Sequence, residues 1–142
     1  MQLNEDTIRQ IVVSVLEDMS EGNINSNTNN QNNSAVVKSG ELSIQEIGLA
    51  EEARSNDEVV IAVGPAFGDK LSKTMIDEKH SNILREIMAG IEEEGLKARV
   101  VKNYITADVG FMGHQAAQLS GSGIGIGLQS KGTILIHQKD LN

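Results

Sequence analysis

Apolar residues fall into two kinds of pattern along the chain. Near its start, Ile8, Ile11, Val12, Val15, Leu16 and Met19 recur at i, i+3, i+4, i+7, i+8 and i+11. This is the stripe of an amphipathic helix over residues 1–20, which Asn4 or Asp6 can cap. The stripe ends before Gly22. Residues 22–34 hold seven asparagines together with Ser, Thr and Gln. Such a tract buries too little apolar surface to offset the entropy of ordering it, which predicts a flexible linker across residues 21–56. Within that linker the Val, Leu and Ile after residue 35 are scattered, leaving room for at most a short strand or helical turn near residues 42–47.

From residue 57 to residue 142 the pattern is that of a folded domain. Val59, Val60, Ile61, Ala62 and Val63 form an unbroken, mostly β-branched run ended by Gly64 and Pro65, which predicts a strand buried on both faces, as in a parallel sheet. Ile83, Leu84, Ile87, Met88 and Ile91 recur at helical spacing, with Ser81 or Asn82 available as N-cap and Gly95 placed to end the helix in a left-handed conformation. Residues 98–104 read as a second strand, 107–119 as a weaker helix, and 133–137 as a last strand after a glycine-rich segment. Strand, helix, strand, helix, strand predicts an α/β fold. Its form is a Rossmann-like open, mostly parallel sheet, preceded by the N-terminal helix and the linker. Ligands in such sheets bind beyond the carboxyl ends of the strands.

Composition narrows the chemistry. With no cysteine in 142 residues, thiolate metal sites, iron–sulfur clusters, disulfides and thiol nucleophiles are excluded. A net charge of −8 and only three aromatic residues argue against binding nucleic acid. No apolar run approaches the ~20 residues of a bilayer span, and the start of the chain lacks the basic region of a secretory signal. A cytoplasmic protein is expected.

The densest local signal lies between Leu119 and Gly132. Gly121, Gly123, Gly125 and Gly127 occupy every second position, leaving one side of an extended chain bare, so that either a wide flat ligand or another stretch of backbone can approach it closely. Ser120, Ser122, Gln129 and Ser130 offer hydrogen-bond partners around the rim, and Lys131 a cation for a phosphate or a carbonyl. The order Lys131-Gly132 does not fit a Walker loop, and no G-x-G-x-x-G or Gly-x-Ser-x-Gly pattern is present here. Asp108 opens the weaker helix, where an N-cap role and contact with a ligand are both open. His80, His114 and His137 are isolated from one another along the chain and read as packing residues, and Glu92, Glu93 and Glu94 as a solvated helix end. No nucleophile, base and orienting acid assemble from these elements, so no catalytic residue and no metal site is assigned, and binding is favoured over self-contained catalysis.

Several blocks are similar to a known family. The run from Asp57-Glu58-Val59 through Gly64-Pro65-Ala66-Phe67, the blocks Ile83-Leu84-Arg85-Glu86 and Ala89-Gly90-Ile91-Glu92-Glu93-Glu94-Gly95, the segment Leu119-Ser120-Gly121-Ser122-Gly123-Ile124, and Ile136-His137-Gln138 closely resemble the medium (beta) subunit of adenosylcobalamin-dependent propanediol and glycerol dehydratases. The resemblance implies a complex with large and small subunits, usually doubled, in which the large subunit carries the radical conversion of a diol to an aldehyde and water. It implies adenosylcobalamin (coenzyme B12), with the medium subunit under the lower face of the corrin. The cobalt keeps its own base, in agreement with the missing Asp-x-His-x-x-Gly motif: Met112, not Asp, stands two positions before His114. Asp108, Ser120, Gly121, Ser122, Gly123 and Lys131 match the family's cofactor-contacting positions. Ile8, Ile11, Val12, Val15, Leu16 and Met19 match its targeting helix, which implies docking to the shell of a bacterial microcompartment. The family runs on past the last strand, which implies a C-terminally truncated chain. Two alternatives share these features in part: the small subunit of a dehydratase-reactivating chaperone, and a shell-attached cargo adaptor without cofactor.

Overall fold

The computed structural model describes residues 8–17, 40–53 and 55–141. Its elements are β1 (Ile8–Glu17), β2 (Gly40–Leu49), β3 (Glu58–Val63), α1 (His80–Glu93), β4 (Lys97–Asn103), α2 (Val109–Leu119), β5 (Ile124–Leu128) and β6 (Ile134–Gln138). They form an α/β fold on one six-stranded mixed sheet in the order β2-β1-β4-β3-β5-β6. The strands β4, β3 and β5 run parallel, and β6 joins the edge of β5 antiparallel.

The apolar run of β3 makes it the central strand. From β3 the chain moves to β4 on one side, then crosses back to β5 on the other. Crossovers of one hand therefore place their helices on opposite faces. Alternating side chains of the sheet feed two cores accordingly. Val59, Ile61, Val63, Val100, Ile126 and Leu128 pack with Leu84, Met88 and Ile91 of α1, while Val60, Ala62 and Val101 pack with Met112, Ala116 and Leu119 of α2. Helix α1 starts at His80 behind Lys79 without a side-chain cap, so neither Ser81 nor Asn82 serves as its N-cap. It ends where expected. Gly95, at φ +75°, donates its N–H to Glu92 O at 2.9 Å while Leu96 N donates to Ile91 O at 3.1 Å, a Schellman closure that needs the left-handed residue.

Two predicted segments differ from the structure. The glycine-rich segment, read as an extended chain but not counted among the strands, has β5 at its centre, which completes the parallel core. Its strand period was hidden because one face carries Ile124, Ile126 and Leu128 and the other, at Gly125 and Gly127, only hydrogen. At the N-terminus, the described part of the predicted helix is strand β1, paired antiparallel with β2 along its length and with β4 through Ile8, Arg9 and Gln10. Half of its ten residues are Ile or Val, which lose side-chain freedom in a helix. Ile11, Val13 and Val15 also satisfy a period of two, so the helical stripe competes with an equally good strand pattern. The open edge of β4 supplies the partner that local periodicity cannot foresee. β2 lies within the predicted linker and extends the short strand allowed at residues 42–47; Met19 and the asparagine tract lie outside the described residues.

Candidate functional site

The parallel core has two edges, and they are built differently. At the amino edge, where β3, β4 and β5 begin, most polar groups bond within the fold, although Glu58 Oε1 and Arg99 Nε are buried without a hydrogen-bond partner. Arg99 Nη2 lies 2.9 Å from Glu58 Oε1 with both side chains largely buried, and the guanidinium also donates to Glu51 O at 2.7 Å and Leu119 O at 3.1 Å. Ser120 Oγ donates to Glu58 O at 2.6 Å and lies 3.0 Å from Ser122 Oγ, which in turn accepts from Ile124 N. Nearby, the Ser55 hydroxyl donates to Asp57, whose partner across the edge is Lys97 at 3.3 Å. The hydroxyl, followed by Lys97, holds the Asp57 carboxyl below its ordinary value.

A carboxyl lowered in the folded state stabilises the protein above the unfolded pKa, and this contribution is lost as the pH falls through the lowered folded value. Unfolding curves recorded between about pH 6 and pH 2 are expected to show that acid limb. Asp57→Asn is expected to flatten it, and an unchanged limb would exclude the assignment.

At the carboxyl edge, Lys102 pairs with Asp69 at 3.6 Å and the buried Asn103 accepts from Ile105 N at 2.8 Å, while other polar groups point outward or lack a partner. Asp108, exposed in the loop after β4, is the N-cap of α2: its Oδ1 accepts from Gly110 N at 2.8 Å and Phe111 N at 3.1 Å. Gln129, at the end of β5, donates from Nε2 to Ala107 O, the residue before Asp108. Because a carbonyl only accepts, this contact identifies the nitrogen and leaves Oε1 as the other atom. That oxygen is buried without a hydrogen-bond partner. Gly132 N closes a turn onto Gln129 O at 2.9 Å, and the turn presents Lys131. Lys131 is exposed and makes no ion pair with another described residue. Beside it, Met75 N donates to Lys131 O at 3.2 Å, and the Met75 and Ile76 side chains are 82% and 87% exposed. Tyr104 and Ile105, also exposed, follow β4 at the same edge.

The six cofactor positions implied by the resemblance therefore do not converge on one surface. Asp108 and Lys131 share the carboxyl edge. Ser120, Gly121, Ser122 and Gly123 lie at the amino edge, one five-residue strand away, or about 16 Å. Both serine hydroxyls are bonded within the fold, and a Cβ on Gly121 would lie 1.7 Å from Ser55 O. The bare face of β5 is also taken. A Cβ on Gly125 would meet Ala117 N at 2.1 Å, and one on Gly127 would meet Val109 O at 2.5 Å. Helix α2 is the body that rests on these glycines, so the alternative of close backbone approach describes Gly125 and Gly127.

Tertiary structure also joins histidines that are far apart in sequence. His114 of α2 and His137 of β6 meet edge to face at 5.0 Å, correcting the expectation that they are isolated. His80 is completely buried and bonded through both ring nitrogens. Its signal in the sequence was only its place at a helix start. Among the described residues no group of three His, Asp or Glu could hold a metal ion, and no helix is long and apolar enough to cross a membrane.

Fold and edge chemistry define the class, a doubly wound α/β domain with a cation, a carboxylate and an unpaired acceptor at the carboxyl ends of its parallel strands. Over more than half its length, residues 64–142, the chain matches the family model described as dehydratase medium subunit. It belongs to that family, and so is a subunit of a multi-subunit dehydratase, a lyase complex, as the sequence resemblance implied.

Proposed function

We propose that this chain is the medium subunit of an adenosylcobalamin-dependent diol dehydratase, most simply one acting on propane-1,2-diol. Its carboxyl edge lies against the lower side of the base-on cofactor at the interface with the large subunit. The observation that carries this reading is the donor set of that edge. Lys131 suits the phosphate of the nucleotide loop, and the exposed Asp108 carboxylate is an acceptor suited to the amide N–H groups around a corrin. Met75 and Ile76 add an apolar rim. Family membership supports it further and favours the medium subunit over the reactivating chaperone.

When bound, adenosylcobalamin supplies the radical chemistry that removes water from the diol to give an aldehyde. This chain's residues bind and orient. Lys131 holds the phosphate side, Asp108 accepts hydrogen bonds, and the apolar rim excludes water from the interface. Ser120, Gly121, Ser122 and Gly123 act instead by fixing the start of β5 against β3. Co-expression with large and small dehydratase subunits tests the reading. The chain is expected to co-purify with the large subunit and support diol-dependent aldehyde formation on addition of adenosylcobalamin. Failure to co-purify would overturn it.

The reading extends to attachment to a microcompartment shell through Ile8, Ile11, Val12, Val15, Leu16 and Met19. Docking as a helix requires residues 8–17 to leave the antiparallel pairing with β2 along the strand as well as the three residue pairs with β4. A reporter fused to the first 20 residues is expected to enter the compartment, and one that stays outside would refute the attachment.

A further inference from the structure

The Lys131 ammonium sits on an exposed turn, so its position depends on what holds that turn. Backbone contacts supply part of the answer: Gly132 N to Gln129 O closes it, and Met75 N reaches Lys131 O from the loop after β3. The strongest tie comes from a side chain that no binding role has claimed. His80, fully buried at the start of α1, stacks on Phe67 with ring centroids 4.1 Å apart and planes 8° from parallel. Its Nδ1 accepts from Gly68 N at 2.9 Å, and its Nε2 lies 2.7 Å from Ser130 O. A peptide N–H only donates and a carbonyl only accepts, so both roles are determined: the ring is neutral, with its proton on Nε2. One imidazole thereby fastens the loop after β3 to the turn after β5, at the residue next to Lys131. A residue that merely filled the core would need the ring but neither nitrogen.

We propose that His80 is a positioning residue for Lys131. By clamping Ser130 to Gly68 it sets where the cation stands at the carboxyl edge, and so how well the edge holds the phosphate of a docked corrinoid. This rests on the cobalamin reading above, and it adds a buried residue that touches no ligand. Misplacing a contact group by about 1 Å is enough to weaken an oriented interaction severely. The loss should fall chiefly on the phosphate contact, because Asp108 is capped onto the N-terminus of α2 by two bonds of its own and meets the turn only through Gln129 on the neighbouring Ala107 O.

The test uses the chain assembled with its large and small subunits and two probes, cyanocobalamin and dicyanocobinamide, which lacks the nucleotide loop and its phosphate. His80→Phe keeps the stacked ring and removes both hydrogen bonds; His80→Gln keeps one donor and one acceptor. Spectroscopic titration is expected to show cyanocobalamin bound about tenfold more weakly by the His80→Phe complex, with cobinamide binding unchanged. His80→Gln is expected to recover part of the loss. In a Lys131→Ala background, His80→Phe is expected to add no further loss, because the clamp acts through the lysine. Equal weakening of both probes, no weakening of either, or failure of both variants to assemble would assign His80 a purely structural role and overturn the proposal. A wild-type complex that binds neither probe would instead overturn the cobalamin reading on which it stands.

Discussion

Gly125→Ala is expected to destabilise the protein by at least about 3 kcal/mol, lowering its melting temperature by roughly 10 °C or more. The reason is steric and lies in backbone atoms, which cannot swing aside. The new methyl would stand 2.1 Å from Ala117 N and 2.5 Å from Ala116 C, both in the C-terminal half of α2. Relief requires the helix to lift from the sheet, opening the core in which Met112 and Ala116 are fully buried against Val60 and Ala62. Gly127→Ala is expected to behave alike, since its Cβ would meet Val109 O at 2.5 Å and Gly113 N at 2.8 Å. Gly123→Ala is the informative control. That residue has φ +77° but an ordinary 3.6 Å contact to Lys139 Cβ, so only the left-handed backbone opposes the methyl, at about 1–2 kcal/mol. Thermal unfolding of the three variants separates the cases. Should Gly125→Ala be as mild as Gly123→Ala, α2 does not rest on β5 and the bare face of the strand is open to a ligand after all.

Lys131→Ala is expected to raise the dissociation constant of cyanocobalamin for the assembled complex about 10- to 100-fold while leaving the melting temperature of the ligand-free protein unchanged. Lys131 is exposed and makes no ion pair with another described residue, so its removal disturbs little in the fold. Against a phosphate buried at an interface it forms a charged hydrogen bond worth about 1.5–3 kcal/mol, and each 1.4 kcal/mol is tenfold in affinity. Asp108 supplies the contrast. Asp108→Ser removes the charge and keeps an N-cap, whereas Asp108→Ala also gives up the two bonds to Gly110 and Phe111, a loss of about 1 kcal/mol of stability. Equilibrium dialysis and thermal unfolding of the three variants measure the two effects. Cobalamin affinity unaffected by Lys131→Ala would remove the phosphate contact from the proposed function.

Much of the α/β core was legible because its signals are local. The unbroken run from Val59 to Val63, the helical spacing from Ile83 to Ile91 and the closing glycine at 95 each follow from the side chains themselves. The candidate site was legible only in part. Asp108 and Lys131 stand at the edge where ligands of parallel sheets bind, and each follows a strand end, a position the sequence order already implied. Ser120, Gly121, Ser122 and Gly123, matched to cofactor positions by the resemblance, lie at the opposite edge of the sheet from Lys131. A strand five residues long carries the chain to the opposite edge between them.

Sequence by itself determined which segments are apolar enough to be buried, where glycine and proline interrupt them, and that no cysteine chemistry is available. Those properties reside in single residues and their nearest neighbours. Only tertiary structure decided that residues 8–17 pair as a strand, that α2 covers the bare glycines of β5, and that His80 ties together two loops, at Gly68 and at Ser130, the latter 50 residues from it in the chain. Each of these is a contact between groups distant in sequence. Its strength depends on what the partner offers, an open ladder edge, a helix backbone or an unpaired carbonyl, and no period or propensity along the chain records it.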